Sequence, residues 1–272
     1  MLFRHRTPRL KFQPPTRGEE LIRFEHLKKS FGPKRVYDDL QLSVRAGETL
    51  TVIGGSGTGK SVLLKCLIGL LRPDEGRIVF EGQELTEFRE EDFIDVRRHV
   101  AMVFQGAALF DSLTVGENIA YPLREHFPQM PPEEIRERVA RKLELVDLPG
   151  IEDMKPADLS GGMKKRVGLA RAIATDPEVI LWDEPTTGLD PVTTENINQM
   201  IRSMQKQLGC TSIVVTHDMM SAFTVSDRIA MLANRRIVQV GTPEEMKEST
   251  VPEVRAFLDA RRQELWIQEE AR

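Results

Sequence analysis

The chain has 272 residues, with 38 Lys and Arg against 42 Asp and Glu, a formal net charge of −4, 40% hydrophobic residues and 29% charged ones. These ordinary globular proportions exclude collagen-like and largely disordered classes. The near-balance of charge argues against a dedicated nucleic-acid binder, whose domains are usually basic. No run approaches the roughly 18–20 consecutive apolar residues of a membrane helix; the best candidate, Val62–Leu71, is short and interrupted by Lys65. The N-terminus is basic but lacks the apolar stretch of a secretory signal. Two cysteines, Cys66 and Cys210, are too few for a disulfide framework. The expectation is a soluble, reduced, cytosolic protein.

In chain order, residues 1–18 carry Arg4, Arg6, Arg9, Lys11 and Arg17 with no acidic residue, which reads as a disordered arm or as a segment attracted to anionic lipid headgroups. Leu21–Phe24, Leu40–Val44 and Thr49–Ile53 read as strands, the last entering a glycine-rich loop. Ser61–Leu70 reads as a buried helix, and Arg77–Glu81, between Gly76 and Gly82, as a further strand. Residues 107–160 change character. A helix near Val115–Leu123 and a Pro-rich break at Pro128–Pro132 precede a helix Glu133–Val146 with Ile135, Val139, Leu143 and Val146 on one face. This predicts a helical subdomain inserted into an α/β core. The core resumes with a helix Gly162–Thr175, buried strands Val179–Trp182 and Ser212–Thr216, and a hairpin of Arg228–Leu232 with Arg236–Val240 around Asn234. A last helix from Pro252 places Val254, Phe257, Leu258, Arg261 and Leu265 on one stripe. Cys66 reads as packing within the Ser61–Leu70 helix, and Cys210 as an ordinary turn residue beside Gly209.

Three motifs carry chemistry. The first, Gly54-Gly55-Ser56-Gly57-Thr58-Gly59-Lys60-Ser61, has the G-x4-G-K-S spacing of a phosphate loop between a strand and a helix. Its glycines let successive N–H groups face a β-phosphate at the positive end of the helix. Lys60 then reaches the β- and γ-oxygens, and the Ser61 hydroxyl ligates Mg²⁺. In the second, a buried strand ends in Asp183-Glu184. Asp183 serves Mg²⁺ and Glu184 orients the water that attacks the γ-phosphate; alone, such a strand end is also a common acidic turn.

The third motif, Leu159-Ser160-Gly161-Gly162-Met163 followed by a helix with Lys164, Lys165, Arg166 and Arg171, matches the ABC-transporter signature. The sequence therefore resembles an ATP-binding-cassette ATPase over roughly residues 20–245. The resemblance implies an α/β P-loop NTPase fold: a RecA-like core with an antiparallel β subdomain and an inserted helical subdomain. It implies a cassette over residues 19–248 and a C-terminal helix over 249–272. Its substrate is ATP with Mg²⁺. Ser160, Gly161 and Gly162 would serve the γ-phosphate held by the opposite protomer, although Ser160 is equally a helix N-cap. Phe31 matches the adenine-stacking aromatic. Gln105 matches the glutamine that touches Mg²⁺ or the attacking water, Asp190 in Gly188-Leu189-Asp190-Pro191 the loop linking two sites, and His217 the switch histidine on the γ-phosphate.

The runs Phe104–Leu113, Asn118–His126 and Ser160–Ala170, with Thr216–Phe223 and Glu253–Asp259, look like the MCE-associated, Mla-type cassettes of phospholipid transporters. That likeness implies a homodimer, an MlaE-type integral membrane permease and an MCE-domain substrate-binding protein as partners, and leaves open whether a STAS-domain subunit joins them. It also implies a peripheral place on the cytoplasmic side of the inner membrane. Three other readings share the motifs: an importer ATPase for amino acids or another small solute, a soluble ABC mechanoenzyme, and a non-catalytic regulatory cassette.

Overall fold

The structure, a computed structural model, describes residues 16–104 and 106–260. Most of the basic arm, Gln105, Arg261 and Leu265 lie outside the described residues. The chain forms two compact units, one joining residues 1–97 to 215–272 and the other spanning 98–214.

In chain order, the first unit opens with β1 (Glu20–Phe31), β2 (Lys34–Arg45), β3 (Thr49–Ile53), α1 (Lys60–Leu67), β4 (Glu75–Phe80) and β5 (Gln83–Glu84); α2 (Glu90–His99) then carries the chain into the second. Strands β2-β1-β4-β5 form an antiparallel sheet in that order. Its register sets Val44, Ile22 and Phe80 side by side, and likewise Leu42, Phe24 and Ile78. All six are buried, so the period-2 alternation is read out as one apolar face.

Helix α1 stops at Leu67, short of the expected Leu70. Gly69 takes a left-handed φ of 71°, and the N–H groups of Leu70 and Leu71 both fold back to the Lys65 carbonyl, at 2.9 and 3.1 Å. That wrap satisfies the terminal carbonyls and turns the chain out.

The second unit holds β6 (Val100–Val103), α3 (Val115–His126), α4 (Pro132–Leu145), a 3-10 turn at Pro156–Asp158, α5 (Gly161–Ala172), β7 (Val179–Asp183), α6 (Pro191–Leu208) and most of β8 (Thr211–Thr216). Strands β6 and β7 pair in parallel from Val100↔Val179 to Val103↔Trp182, and every residue of β7 is buried. Helices α3, α4 and α5 pack on one another, and the expected face of Ile135, Val139, Leu143 and Val146 is buried.

Helix α3 begins at a capping box, Thr114 and Glu117. It runs three residues beyond the expected end, through Pro122. A proline costs one helical bond, but the buried Leu123 anchors the next turn, and its carbonyl accepts from Phe127 N at 2.8 Å.

Helices α2 and α6 are not among the expected elements. Asp190, expected only as a loop residue, is the N-cap of the 18-residue α6, with Pro191 in its first turn. Cys210 sits between Gly209 and β8, as expected of a turn residue there, and it is buried.

The first unit resumes with α7 (Met219–Val225), β9 (Arg228–Ala233), β10 (Arg236–Gly241) and α8 (Pro243–Lys247), and residues 252–260 are helical. β3 pairs in parallel with β9, which pairs antiparallel with β10. The hairpin turns at Asn234 and Arg235, both at positive φ, as a two-residue connection between right-twisted strands requires. Ile53, Met219, Ile229, Met231, Met246 and Val254 form one apolar cluster, against which Phe257 and Leu258 pack. Each fully buried aliphatic side chain there contributes about 1.5–3 kcal/mol.

Candidate functional site

In the first unit, β3 delivers the chain into Gly54–Gly59 and α1 takes it out at Lys60. The Lys60 side chain is 6% exposed and folds over its own loop, its ammonium donating to the carbonyls of Gly54 at 3.0 Å and Gly55 at 3.2 Å. Thr58 closes the turn through its hydroxyl, 2.9 Å from the Gly55 carbonyl. Ser56 and Gly57 lie between them, and Ser61 occupies the first turn of α1.

Gly59 caps α1 at φ 109°. A Cβ there would lie 2.3 Å from Val36 Cγ1 and 3.0 Å from Tyr37 Cε1. Only glycine lets the loop close on β2 at this point.

Two residues of this site were not singled out in the sequence. Tyr37, fully buried, donates its hydroxyl to the Gly59 carbonyl. Lys34 reaches the loop from β2, its ammonium 3.9 Å from where a Cβ on Gly57 would stand. A second positive charge therefore lies beside the loop. No local motif marks either residue, because β2 meets the loop only in the folded chain. Lys34 pairs in register with Phe31 at the tip of the β1–β2 hairpin. The Phe31 ring is 45% exposed, and the Lys29 ammonium lies 5.3 Å from its centroid. His217 follows β8 directly and is partly buried. The next residue, Asp218, caps α7 by accepting from the N–H groups of Met220 and Ser221.

In the second unit, Asp183 is buried at the end of β7. Glu184 turns the chain sharply at a φ of 50°, an uncommon conformation for a non-glycine residue. Its carboxylate accepts from the Thr187 hydroxyl at 3.1 Å. Lys165, on α5, donates to the carbonyls of Pro185 at 3.2 Å and Thr187 at 2.8 Å.

Ser160 caps α5, its hydroxyl oxygen accepting from Met163 N at 3.2 Å. A Cβ on Gly161 would meet nothing within 4 Å, and one on Gly162 would stand 3.2 Å from Thr193 Cγ2. The Ser160 turn and the start of α6 are therefore neighbours. Asp190 there accepts from the N–H groups of Val192 and Thr193, both at 3.0 Å, and from the Thr193 hydroxyl at 2.6 Å. The Thr193 hydroxyl and amide, in that order, hold its carboxyl below the usual range.

The first unit thus gathers Phe31, the glycine loop, Lys60 and Ser61. The second gathers Asp183, Glu184, the Ser160–Gly162 turn and Asp190. The donors suit a magnesium triphosphate. A glycine cradle with an inward-folded ammonium accepts phosphate oxygens. The Ser61 hydroxyl in the first unit and the Asp183 carboxylate in the second are each oxygen donors of the kind Mg²⁺ takes. Among the described residues, no cluster of three or more His, Cys, Asp or Glu forms a dedicated metal cage.

A second surface lies on the helical part of this unit. Phe110 and Tyr121 pack ring to ring at 5.0 Å, and both are more than 40% exposed. Asn118, buried in α3, pins Phe110 by accepting from its N–H at 2.8 Å and donating to its carbonyl at 3.1 Å. Arg171 of α5 donates to the carbonyls of Ala108 and Ala107 at 2.7 and 3.2 Å, its guanidinium 5.8 Å from the Phe110 ring. The residues just after Gln105 are thereby braced against α5. Among the described residues, no helix is long and apolar enough to cross a membrane.

Comparison with known proteins gives a consistent picture. Residues 37–187 match the family model described as ABC transporter. The chain is 44% identical over 241 residues to the probable ribonucleotide transport ATP-binding protein mkl of Mycobacterium leprae, covering 89% of this chain and 69% of that one. It is 38% identical over 241 residues to the intermembrane phospholipid transport system ATP-binding protein MlaF of Haemophilus influenzae, covering 89% and 91%. It is 42% identical over 231 residues to the methionine import ATP-binding protein MetN of Mesorhizobium japonicum, covering 84% and 62%. Among solved structures, the dimeric post-hydrolysis state of the ATP-binding cassette MJ0796 bound to ADP and Pi superposes with a TM-score of 0.76 at 30% identity, over 82% of this chain and 99% of that one.

Proposed function

The chain belongs to the ABC transporter family as an ATP-binding, ATP-hydrolysing subunit, and from that premise we propose that it powers phospholipid transport between inner and outer membranes through an MlaE-type permease and an MCE protein. The observation that carries the cargo is the likeness to the phospholipid-transport protein MlaF, which spans 91% of that protein's length. The runs Phe104–Leu113 and Asn118–His126, quoted above for the same subfamily, build the Phe110–Tyr121 platform. We assign that platform to permease docking, with the chain peripheral on the cytoplasmic side of the inner membrane.

Two copies close head to tail around two ATP. Phe31 stacks on adenine, while Gly54–Gly59 and Lys60 bind the phosphates. Ser61, Asp183 and Gln105 would hold Mg²⁺, which when bound would draw charge from the transferring phosphoryl oxygens. Glu184 orients the attacking water and accepts its proton, and His217 hydrogen-bonds the γ-phosphate. The Ser160–Gly162 turn presents helix N–H groups to the nucleotide of the other copy. Asp190 fixes the start of α6 beside that turn, which supports a role in linking the two sites.

The MetN likeness favours a second reading, the ATPase of an amino-acid importer. Purification of the tagged chain from detergent-solubilised membranes separates the two readings. Co-purifying MCE protein, permease and phospholipid support the first, and an amino-acid permease in their place overturns it.

A further inference from the structure

Lys165 reaches across from α5 to the turn that carries Glu184. Its ammonium donates to the Pro185 carbonyl at 3.2 Å and the Thr187 carbonyl at 2.8 Å, on either side of Thr186. Thr187 in turn holds Glu184 twice, by its N–H to the Glu184 carbonyl at 3.3 Å and by its hydroxyl to the carboxylate at 3.1 Å. The turn is not one the chain adopts freely, since Glu184 sits at a φ of 50° and such conformations persist only when their surroundings hold them. A cation shared by two carbonyls supplies that hold, because charge-assisted bonds are about twice as strong as neutral ones. Partial burial lowers the ammonium's proton affinity, so the carbonyl dipoles stand in for lost solvent. The same side chain stems from the second turn of the helix capped by Ser160.

We propose that Lys165 is a positioning residue for ATP hydrolysis, fixing the Glu184 carboxylate through the Pro185–Thr187 turn and locking that turn to the helix that begins at Ser160. The inference rests on the assignments of Glu184 and Ser160 made above. With Glu184 acting on the nucleotide of its own loop and Ser160 on that of the second copy, Lys165 is a rigid tie, within one chain, between the two sites. Its ammonium is engaged by the Pro185 and Thr187 carbonyls, so its removal acts on turnover and not on ATP affinity.

The test compares Lys165→Met, which keeps the stem and removes the donors, with Lys165→Arg, which keeps them. Steady-state ATPase of the purified full chain is followed against ATP concentration. The expected result is a kcat lowered roughly ten- to hundredfold in Lys165→Met, with KM within about twofold of the parent and most of kcat recovered in Lys165→Arg. Thr187→Val, which removes the hydroxyl on Glu184 at nearly constant volume, serves if Lys165→Met does not fold, and is expected to lower kcat alone. Parent-like turnover in Lys165→Met or in Thr187→Val, or a loss confined to KM, overturns the proposal. Glu184→Gln assayed alongside separates the two levels. Full turnover in Glu184→Gln sinks the underlying assignment and this inference with it. An inactive Glu184→Gln beside a fully active Lys165→Met sinks this inference alone.

Discussion

The Tyr37 hydroxyl donates to the Gly59 carbonyl, joining a strand of the antiparallel sheet to the residue that caps the phosphate-loop helix. The Gly59 carbonyl also accepts from Val62 N at 2.8 Å and Leu63 N at 3.3 Å, so it keeps partners without the tyrosine. Tyr37→Phe is therefore expected to cost about 1 kcal/mol of stability and to raise KM for ATP severalfold through a looser loop. Urea denaturation and ATP titration measure the two effects. An unchanged KM would remove the sheet from the account of the loop.

Phe31 offers a second test on the same unit. Its ring is half exposed, so truncation removes little core packing. Base–aromatic stacking is worth about 1–3 kcal/mol. Phe31→Ala is expected to weaken ATP binding by roughly tenfold or more at unchanged melting temperature, and Phe31→Trp to restore it. Equal ATP affinity in all three proteins would place adenine elsewhere.

The two thiols give a prediction in pH. Burial, the leading cause in both, pushes Cys66 up to about 12 and Cys210 up to about 11 from an ordinary value of 9.0. The unfolded chain therefore loses these protons first as pH rises. Their contribution to stability is complete below pH 9 and falls away between about 9 and 12. At pH 8 neither thiol of the native protein should react with a thiol-specific reagent on the timescale of seconds, while both should react in denaturant. Prompt labelling of the native chain would contradict their burial.

Much of this was legible in the sequence. Thr49–Ile53 and the Asn234 hairpin stand where the residue pattern put them, because an apolar run between turn residues and a two-residue turn are local signals. The end of α1 was not, since Gly69 halts the helix by a left-handed turn that the apolar run through Leu70 hides. Asp190-Pro191 carries the N-cap and first-turn proline of α6, a local helix signal that the Gly188–Pro191 loop motif overlies. Lys165 and Arg171 were visible as charges on a signature helix, but their partners are backbone carbonyls, which have no residue-type signal. Lys34 and Tyr37 meet the glycine loop through tertiary pairing alone.

The central claim is that two copies close around ATP and that Glu184 drives its hydrolysis. Light scattering and phosphate release on Glu184→Gln, with and without Mg²⁺ and ATP, test it most directly, with Lys60→Ala as the control that cannot hold the triphosphate. The account predicts an ATP-dependent dimer of Glu184→Gln with almost no phosphate released, and a Lys60→Ala protein that is inactive and monomeric. Turnover of Glu184→Gln at the parent rate, with no nucleotide-dependent change in mass, would contradict it.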